Sequence, residues 1–372
     1  MLKVGFIGIR GMVGSVLLDR MLKENDFDKI QAIFFSTSNI GGVAPTVKNG
    51  FATLEDAYNL ESLLSLDCIV TAQGSEYTEE ILPKLRNAGF TGYWIDASSY
   101  LRMSNDAVII LDPINLDIIE TSLKSGVKNF VGGNCTVSLM LLAIDGLIKN
   151  DLVEWVSSMT YQAVSGAGAN NMREFLQQSN SLSGYLSEVL NNPAKSILEI
   201  EKEITQKLLG NETPIEHFKA PLFCNLLPWI DRMVDNGQTR EEWKATSEAN
   251  KILGNKEELI KIDGLCVRVG SLRCHSQALT IKLKQKLKLD EITNLITNAN
   301  QWVRYVPNLE HETRNSLTPL SVSGTLDIAV GRLHKMNFGE EYLTLFTVGD
   351  QLLWGAAEPL RRMISILVKH HG

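Results

Sequence analysis

Leu2-Lys-Val-Gly-Phe-Ile7, running into Gly8-Ile-Arg-Gly11-Met-Val-Gly14-Ser-Val16, is the stretch on which the fold turns. An apolar strand meets three glycines, and from Gly14 to Lys23 the apolar residues recur at helical spacing. Glycines at a strand-to-helix turn let a pyrophosphate approach the backbone and rest on the helix N-terminus. The same glycines also suit plain packing at a tight turn, and their GxxGxxG spacing departs from the usual GxGxxG. Their place at the head of an alternating pattern favours the nucleotide. Strands are predicted at Lys3–Ile7, Ala32–Phe35, Cys68–Ala72, Tyr93–Asp96 and Val108–Leu111, with helices at Gly14–Lys23 and Thr78–Ala88 between them. That alternation predicts an α/β protein whose first third is a parallel, doubly wound sheet of the Rossmann type.

After the second strand, Ser36-Thr37-Ser38 stand where NAD-specific sites place an acidic residue for the ribose hydroxyls. Hydroxyls there, with Arg10 in the glycine turn, accept a 2′-phosphate and favour NADP over NAD. Read alone, the three residues serve equally well as loop polars.

A chain of 372 residues exceeds one ordinary core and predicts two domains. The pattern changes near Cys135. From Trp155 the segments lengthen, and Leu279, Ile281 and Leu283 alternate with Thr280, Lys282 and Lys284, as in a sheet with one wet face. A polar, helix-rich region from Asn171 to Asn255, punctuated by Pro193, Pro214, Pro221 and Pro228, has no linker composition and belongs to the second domain. The tail from Asp350 to Lys369 reads as an apolar helix with Pro359 at a start or kink, docking back on the first domain. The expected division is 1–134 with 357–372 as the nucleotide-binding domain, and 135–356 as an α+β catalytic domain with a mixed sheet.

Composition narrows the function. A formal charge of −7 and a pI near 5.5 argue against nucleic acid or an anionic membrane as partner, leaving room for a local basic pocket that takes a phosphorylated small molecule. Five scattered cysteines lack metal-ligand spacing and point to free thiols in a reducing compartment, with no metal. The longest apolar run, Val137 to Ile148, is cut by Asp145 and is too short to span a bilayer; without a signal-peptide layout, the expected location is cytoplasmic.

Four segments carry candidate chemistry. Phe130-Val-Gly-Gly-Asn134-Cys135-Thr-Val-Ser-Leu-Met-Leu141 delivers a cysteine to the first turn of an apolar helix, where the dipole eases ionisation and a thiolate would be nucleophilic. A buried structural cysteine is the plainer reading. In Tyr161-Gln162-Ala-Val-Ser165-Gly166-Ala-Gly168, a side-chain amide ends a strand and can hydrogen-bond an acyl oxygen; an ordinary strand-to-helix turn has the same look. Thr239-Arg-Glu241-Glu-Trp-Lys244 puts Glu241 and Lys244 on one helix face, which by itself reads as a solvated salt bridge. In Leu265-Cys-Val-Arg268-Val-Gly-Ser-Leu-Arg-Cys-His275-Ser276, an inward Arg268 near His275 suits carboxylate binding plus proton transfer, although a lone histidine is more often packed or at the surface.

Together, GIRGMVGSV, GGNCTVS, YQAVSGAG, REEWK, GLCVRVGSLRCHSQA and VGDQLLWGAAEPLRRM resemble the aspartate-semialdehyde dehydrogenases, in their bacterial branch with a longer helical insert, in order over nearly the whole chain. Glyceraldehyde-3-phosphate dehydrogenases share the chemistry but place their cysteine in another motif. The resemblance implies NADPH-dependent reduction of 4-phospho-L-aspartate to L-aspartate 4-semialdehyde and phosphate, reversibly, in lysine, threonine, methionine and diaminopimelate biosynthesis. It assigns Cys135 as nucleophile and thioester carrier, His275 as acid/base and Gln162 as orienter of the acyl group. Arg268 is assigned the α-carboxylate, Glu241 the α-amino group, and Arg102, Lys244 and Asn134 the phosphate. Gly8, Arg10, Gly11, Met12, Val13, Thr37, Ser38, Gln73, Ser165, Gly166, Pro193 and Gln351 are implied to hold NADP. Ala167 departs from a loop often richer in glycine. A homodimer, paired through the second domain's sheet, is implied as well.

Overall fold

The computed structural model describes residues 1–192 and 194–371, so the expectation for Pro193 lies outside the described residues. Among them, two sheets organise the chain. The first holds β1 (Leu2–Ile7), β2 (Ile30–Ser36), β3 (Glu55–Asp56), β4 (Cys68–Thr71), β5 (Tyr93–Asp96), β6 (Ala107–Ile110) and β7 (Asn129–Gly132) in the order β3-β2-β1-β4-β5-β7-β6, with every pairing parallel. Such strands are buried on both faces, which is why they read as continuous apolar runs. Phe6 and Phe34 stack on one face at 5.5 Å between centroids, while Ile7, Phe35 and Trp94 enter the core on the other. The crossover from β1 to the Met12–Lys23 helix is tight: a Cβ at Gly14 would lie 2.2 Å from the carbonyl oxygen of Gly8.

The second sheet is mixed. It contains β8 (Val153–Gln162), β9 (Lys261–Asp263), β10 (Cys266–Arg268), β11 (Cys274–Leu283), β12 (Val303–Tyr305), β13 (Ile328–Lys335) and β14 (Tyr342–Asp350), ordered β10-β8-β11-β14-β13-β12 with β9 also on β8. Leu279, Ile281 and Leu283 face inward as their alternation predicts. Met159 and Tyr161 are exposed on the other face, where Tyr161 lies beside Phe346.

Between the sheets runs the Cys135–Lys149 helix, buried from Thr136 through Leu147. A helix apolar all round needs partners all round; this one packs against the Leu289–Thr297 and Arg240–Leu253 helices and against strands of the second sheet. The helix-rich region between β8 and β9 holds helices Ala169–Ser181, Ser183–Val189, Ile197–Leu208 and Arg240–Leu253.

The tail differs from the continuous helix predicted from Asp350. Strand β14 extends to Asp350, whose buried carboxylate accepts the N–H groups of Gly324 and Leu352 at 2.7 and 2.9 Å. A π-helical turn, Leu353–Ala357, follows, and the regular helix is Glu358–His371. Pro359 sits in its first turn, directly after the π-helical one, where its fixed φ suits the helix. That helix does dock on the first sheet: Leu360, Met363, Ile364 and Leu367 share a core with Val4, Phe6, Ile95 and Phe130. Arg361 bridges Asp26 at 2.9 Å and Glu358 at 2.8 Å, and Arg20 reaches Glu358 at 2.9 Å.

Candidate active site

Strand β7 ends at Gly132, and Asn134 caps the helix behind it. Its Oδ1 accepts the N–H groups of Thr136 and Val137 at 3.0 and 3.2 Å, so Cys135 becomes the first helical residue. The parallel pairing of β10 with β8 sets Arg268 opposite Gln162, and the start of β11 brings His275 beside both. Residues 140 positions apart thereby meet: Sγ of Cys135 lies 3.2 Å from Nε2 of His275.

The Ala163 peptide organises this corner. Its N–H donates to Nδ1 of His275 at 2.9 Å, and its carbonyl accepts from Nη1 of Arg268 at 2.6 Å. A nitrogen accepting a backbone N–H carries no proton, so the neutral ring holds its hydrogen on Nε2, facing the sulfur. Burial, then the charge of Arg268, push the His275 pKa down to about 3, against a weaker opposing pull from Glu241.

The thiol departs from the easy ionisation expected at a helix start. Burial pushes Cys135 up to about 12 and the Glu241 charge adds to it; Arg102, Arg268 and Lys244 pull the other way without prevailing. Desolvation of the anion outweighs the helix dipole here. Cys135 is nevertheless partly exposed, at the floor of a cleft of about 510 Å³.

Glu241 and Lys244 correct the reading of a solvated pair. They are 7% and 8% exposed and bridge at 2.9 Å. Both stand near the start of the Arg240–Leu253 helix and line the cleft. Oε1 of Glu241 accepts from Asn134 Nδ2 at 2.9 Å and from Gln162 Nε2 at 3.2 Å. Burial alone would raise this carboxyl, but the Lys244 charge and these hydrogen bonds hold it at about 2. Lys244 also reaches Asp231 at 3.2 Å.

Arg102 donates through Nε to the Gly132 carbonyl at 2.8 Å and through Nη1 to Glu248 at 3.2 Å. Arg268, by contrast, pairs with no carboxylate among the described residues and faces the cleft. Burial lowers its pKa. Of the three cations lining the cleft, Arg102, Lys244 and Arg268, it alone lacks a carboxylate partner among the described residues.

The nucleotide end opens into the same cleft. Gly8 has φ +81°, and a Cβ there would lie 2.7 Å from the carbonyl carbon of Ala72, so only glycine fits. Gly11 caps the helix that begins at Met12, and Met12 and Val13 line the cleft. Arg10 is exposed, its Nη2 held by the hydroxyls of Ser36 and Ser38 at 3.2 and 3.0 Å. Gln73 reaches Thr37 at 3.4 Å. Across the cleft, Gln351 donates to Ser165 at 2.8 Å, and a Cβ on Gly166 would crowd Arg268 and His275 at 3.0 Å. Ala167 lines the cleft beside Gly168, and Gly168, with φ +102°, carries the left-handed turn. A glycine is therefore not needed at 167.

The sequence reading missed Glu248, Asp231 and the Ala163 peptide. Glu248 had a signal, since residues 241, 244 and 248 share one helix face. The peptide had none, because its partners come from tertiary packing.

The chain matches two family models: residues 3–122 the semialdehyde dehydrogenase NAD binding domain, and residues 144–354 the semialdehyde dehydrogenase dimerisation domain. Among solved structures it is similar to aspartate semialdehyde dehydrogenase from Francisella tularensis, with 51% identity over 99% of this chain and 100% of that one, at a TM-score of 0.94. The fold alone is shared with aspartate semialdehyde dehydrogenase II from Vibrio cholerae complexed with ASA, 19% identical over 100% of this chain and 99% of that one, at a TM-score of 0.80. It is shared too with aspartate semialdehyde dehydrogenase with NADP from Candida albicans, 14% identical over 99% of each chain, at a TM-score of 0.63. With a nucleotide-binding sheet, a cysteine–histidine pair and a full-length match of this kind, the chain belongs to the aspartate-semialdehyde dehydrogenase family.

Proposed function

We propose that the protein interconverts 4-phospho-L-aspartate and L-aspartate 4-semialdehyde with NADP as cofactor, through a thioester on Cys135. The observation that carries this reading is the 3.2 Å approach of Cys135 to His275 in a cleft where Arg268 has no carboxylate partner among the described residues. Arg268 takes the α-carboxylate by a two-pronged hydrogen bond. Glu241 faces the α-amino group, and Gln162 orients the acyl group. Arg102 and Lys244, with Asn134 close by, hold the phosphate.

In the reductive direction the sulfur of Cys135 attacks the acyl carbon. The C–S bond forms, the C–O bond to phosphate breaks with its electron pair on the phosphate, and the thiol proton leaves with it as hydrogen phosphate. Nε2–H of His275 points into the same space and donates to the oxygen on which negative charge gathers. NADPH, when bound, supplies the hydride. The Cys135-bound oxyanion then collapses to free aldehyde and thiolate, which is reprotonated from solvent.

NADP is favoured by Arg10, presented outward by two serine hydroxyls with no acidic side chain at positions 36–38. Pro193, implied in the same site, rests on the resemblance alone. A homodimer fits the dimerisation-domain match and the exposed Met159 and Tyr161 on the open face of the second sheet. We assign residues 1–134 with 357–372 to the nucleotide domain and 135–356 to the catalytic domain. The lysine, threonine, methionine and diaminopimelate routes, and a cytoplasmic location in keeping with five free thiols, complete the reading.

The test is NADP reduction by aspartate semialdehyde with phosphate present or omitted, beside a Cys135→Ser control. Phosphate-dependent absorbance that the control abolishes is the expected result. Turnover without phosphate, or a clear preference for a glutamyl analogue, overturns it.

A further inference from the structure

Glu248 is 2% exposed and does not line the cleft, yet it touches two parts of the site at once. Its Oε2 accepts the backbone N–H of Asn134 at 2.7 Å, the residue before the nucleophile. Nη1 of Arg102 reaches its Oε1 at 3.2 Å and its Oε2 at 3.5 Å. Arg102 spends Nε on Gly132 and Nη1 on Glu248, and among the described residues none accepts from its Nη2. The guanidinium thus shows one edge to a buried carboxylate and another to the anion side of the cleft.

A carboxylate buried behind one cation is a poor way to gain stability, because desolvation consumes most of the attraction. Its electrostatic effect on a bound anion is direct: a phosphate on Arg102 meets an ion pair instead of a bare cation. Phosphate has to enter or leave in every turnover, so a moderated hold is useful.

We propose that Glu248 is a positioning residue that weakens the hold of Arg102 on phosphate while tying that arginine to the turn bearing Cys135. The inference rests on the reading of Arg102 as a phosphate ligand.

The experiment uses full-length Glu248→Gln with NADP, aspartate semialdehyde and inorganic phosphate at varied concentration. Glutamine keeps the shape and an acceptor for Asn134 but removes the charge. KM for phosphate is expected to fall about fivefold or more, with kcat lowered in the direction that releases phosphate and KM for the aldehyde unmoved. A phosphate KM unchanged or raised overturns the proposal, since a structural role alone would lower kcat and Tm without tightening phosphate. Should that variant not fold, Glu248→Asp keeps the charge: its phosphate KM stays within about twofold of wild type while kcat falls, and a larger shift overturns the proposal. Wild-type enzyme that turns over without phosphate removes the phosphate site itself, a different failure from an unmoved KM in the variant.

Discussion

The imidazole of His275 meets the sulfur of Cys135 through a protonated Nε2, because its other nitrogen is occupied by the Ala163 N–H. This neutral tautomer is a donor toward the reacting centre. A full imidazolium would set two N–H groups against each other at Ala163, in a buried site that already carries the Arg268 charge. The resting pair is therefore thiol and neutral imidazole, and charge appears only as reaction proceeds.

Removing that donor tests the relationship. His275→Ala is expected to lower kcat by about 10²–10³-fold with little change in KM for the aldehyde. His275→Gln, which restores an N–H donor without a base, recovers part of the loss. Steady-state kinetics on both variants decide it, and an undiminished kcat in the alanine variant takes His275 out of the mechanism.

Arg268→Lys keeps the charge but loses the planar fork. KM for the amino-acid substrate is expected to rise by an amount equivalent to about 1.5–3 kcal/mol, with KM for phosphate unaffected. Substrate titrations in both proteins check it; equal aldehyde KM values would contradict the carboxylate assignment.

Histidine burial also has a pH signature. In the fold His275 binds a proton only at about 3, whereas in the unfolded chain it does so near its ordinary 6.5. Its contribution is complete above the unfolded value and declines as pH falls from 6.5 toward 3, by up to about 1.4 kcal/mol per unit. Urea unfolding at pH 7, 6 and 5 should show a shallower decline for His275→Gln than for wild type. Parallel slopes would show that His275 takes up its proton in the native state.

A thiol pushed to about 12 reacts slowly. Alkylation of Cys135 by iodoacetamide in the enzyme without substrate is expected to climb roughly tenfold per pH unit through pH 9 without levelling. Rates measured by mass spectrometry of the cysteine peptide provide the check. A plateau by pH 8 would mean that the cations of the cleft outweigh burial.

The π-helical turn supplies a further test. A Cβ at Gly355 would stand 2.6 Å from Cβ of Cys135, so Gly355→Ala must displace the nucleophile or the turn. A kcat loss of tenfold or more is expected, with a stability cost of about 1–3 kcal/mol. Kinetics and a thermal melt on the same preparation separate the two effects.

Local pattern was enough for much of this molecule. The Leu2–Ile7 strand, the glycines after it and the alternation that follows specify a parallel sheet, because strand and helix periods are written in neighbouring residues. Asn134 announces the helix start in the same way, its side chain capping N–H groups two and three positions on. Pro359 marked a real boundary, although not the course of the chain before it. There Asp350 accepts the N–H of Gly324 and ties the end of β14 to the segment before β13, which no local pattern encodes.

By itself, then, the sequence determined the doubly wound first domain, the cysteine at a helix start and the residue types of the site. Tertiary structure decided their chemical state. Glu241 and Lys244 became a buried pair, Glu248 came to lie behind Arg102, and the Ala163 peptide chose the tautomer of His275. The reason is that spacing along a chain reports which residues share a face, while charge state and acidity depend on how far water is excluded and on which partners, distant in sequence, replace it.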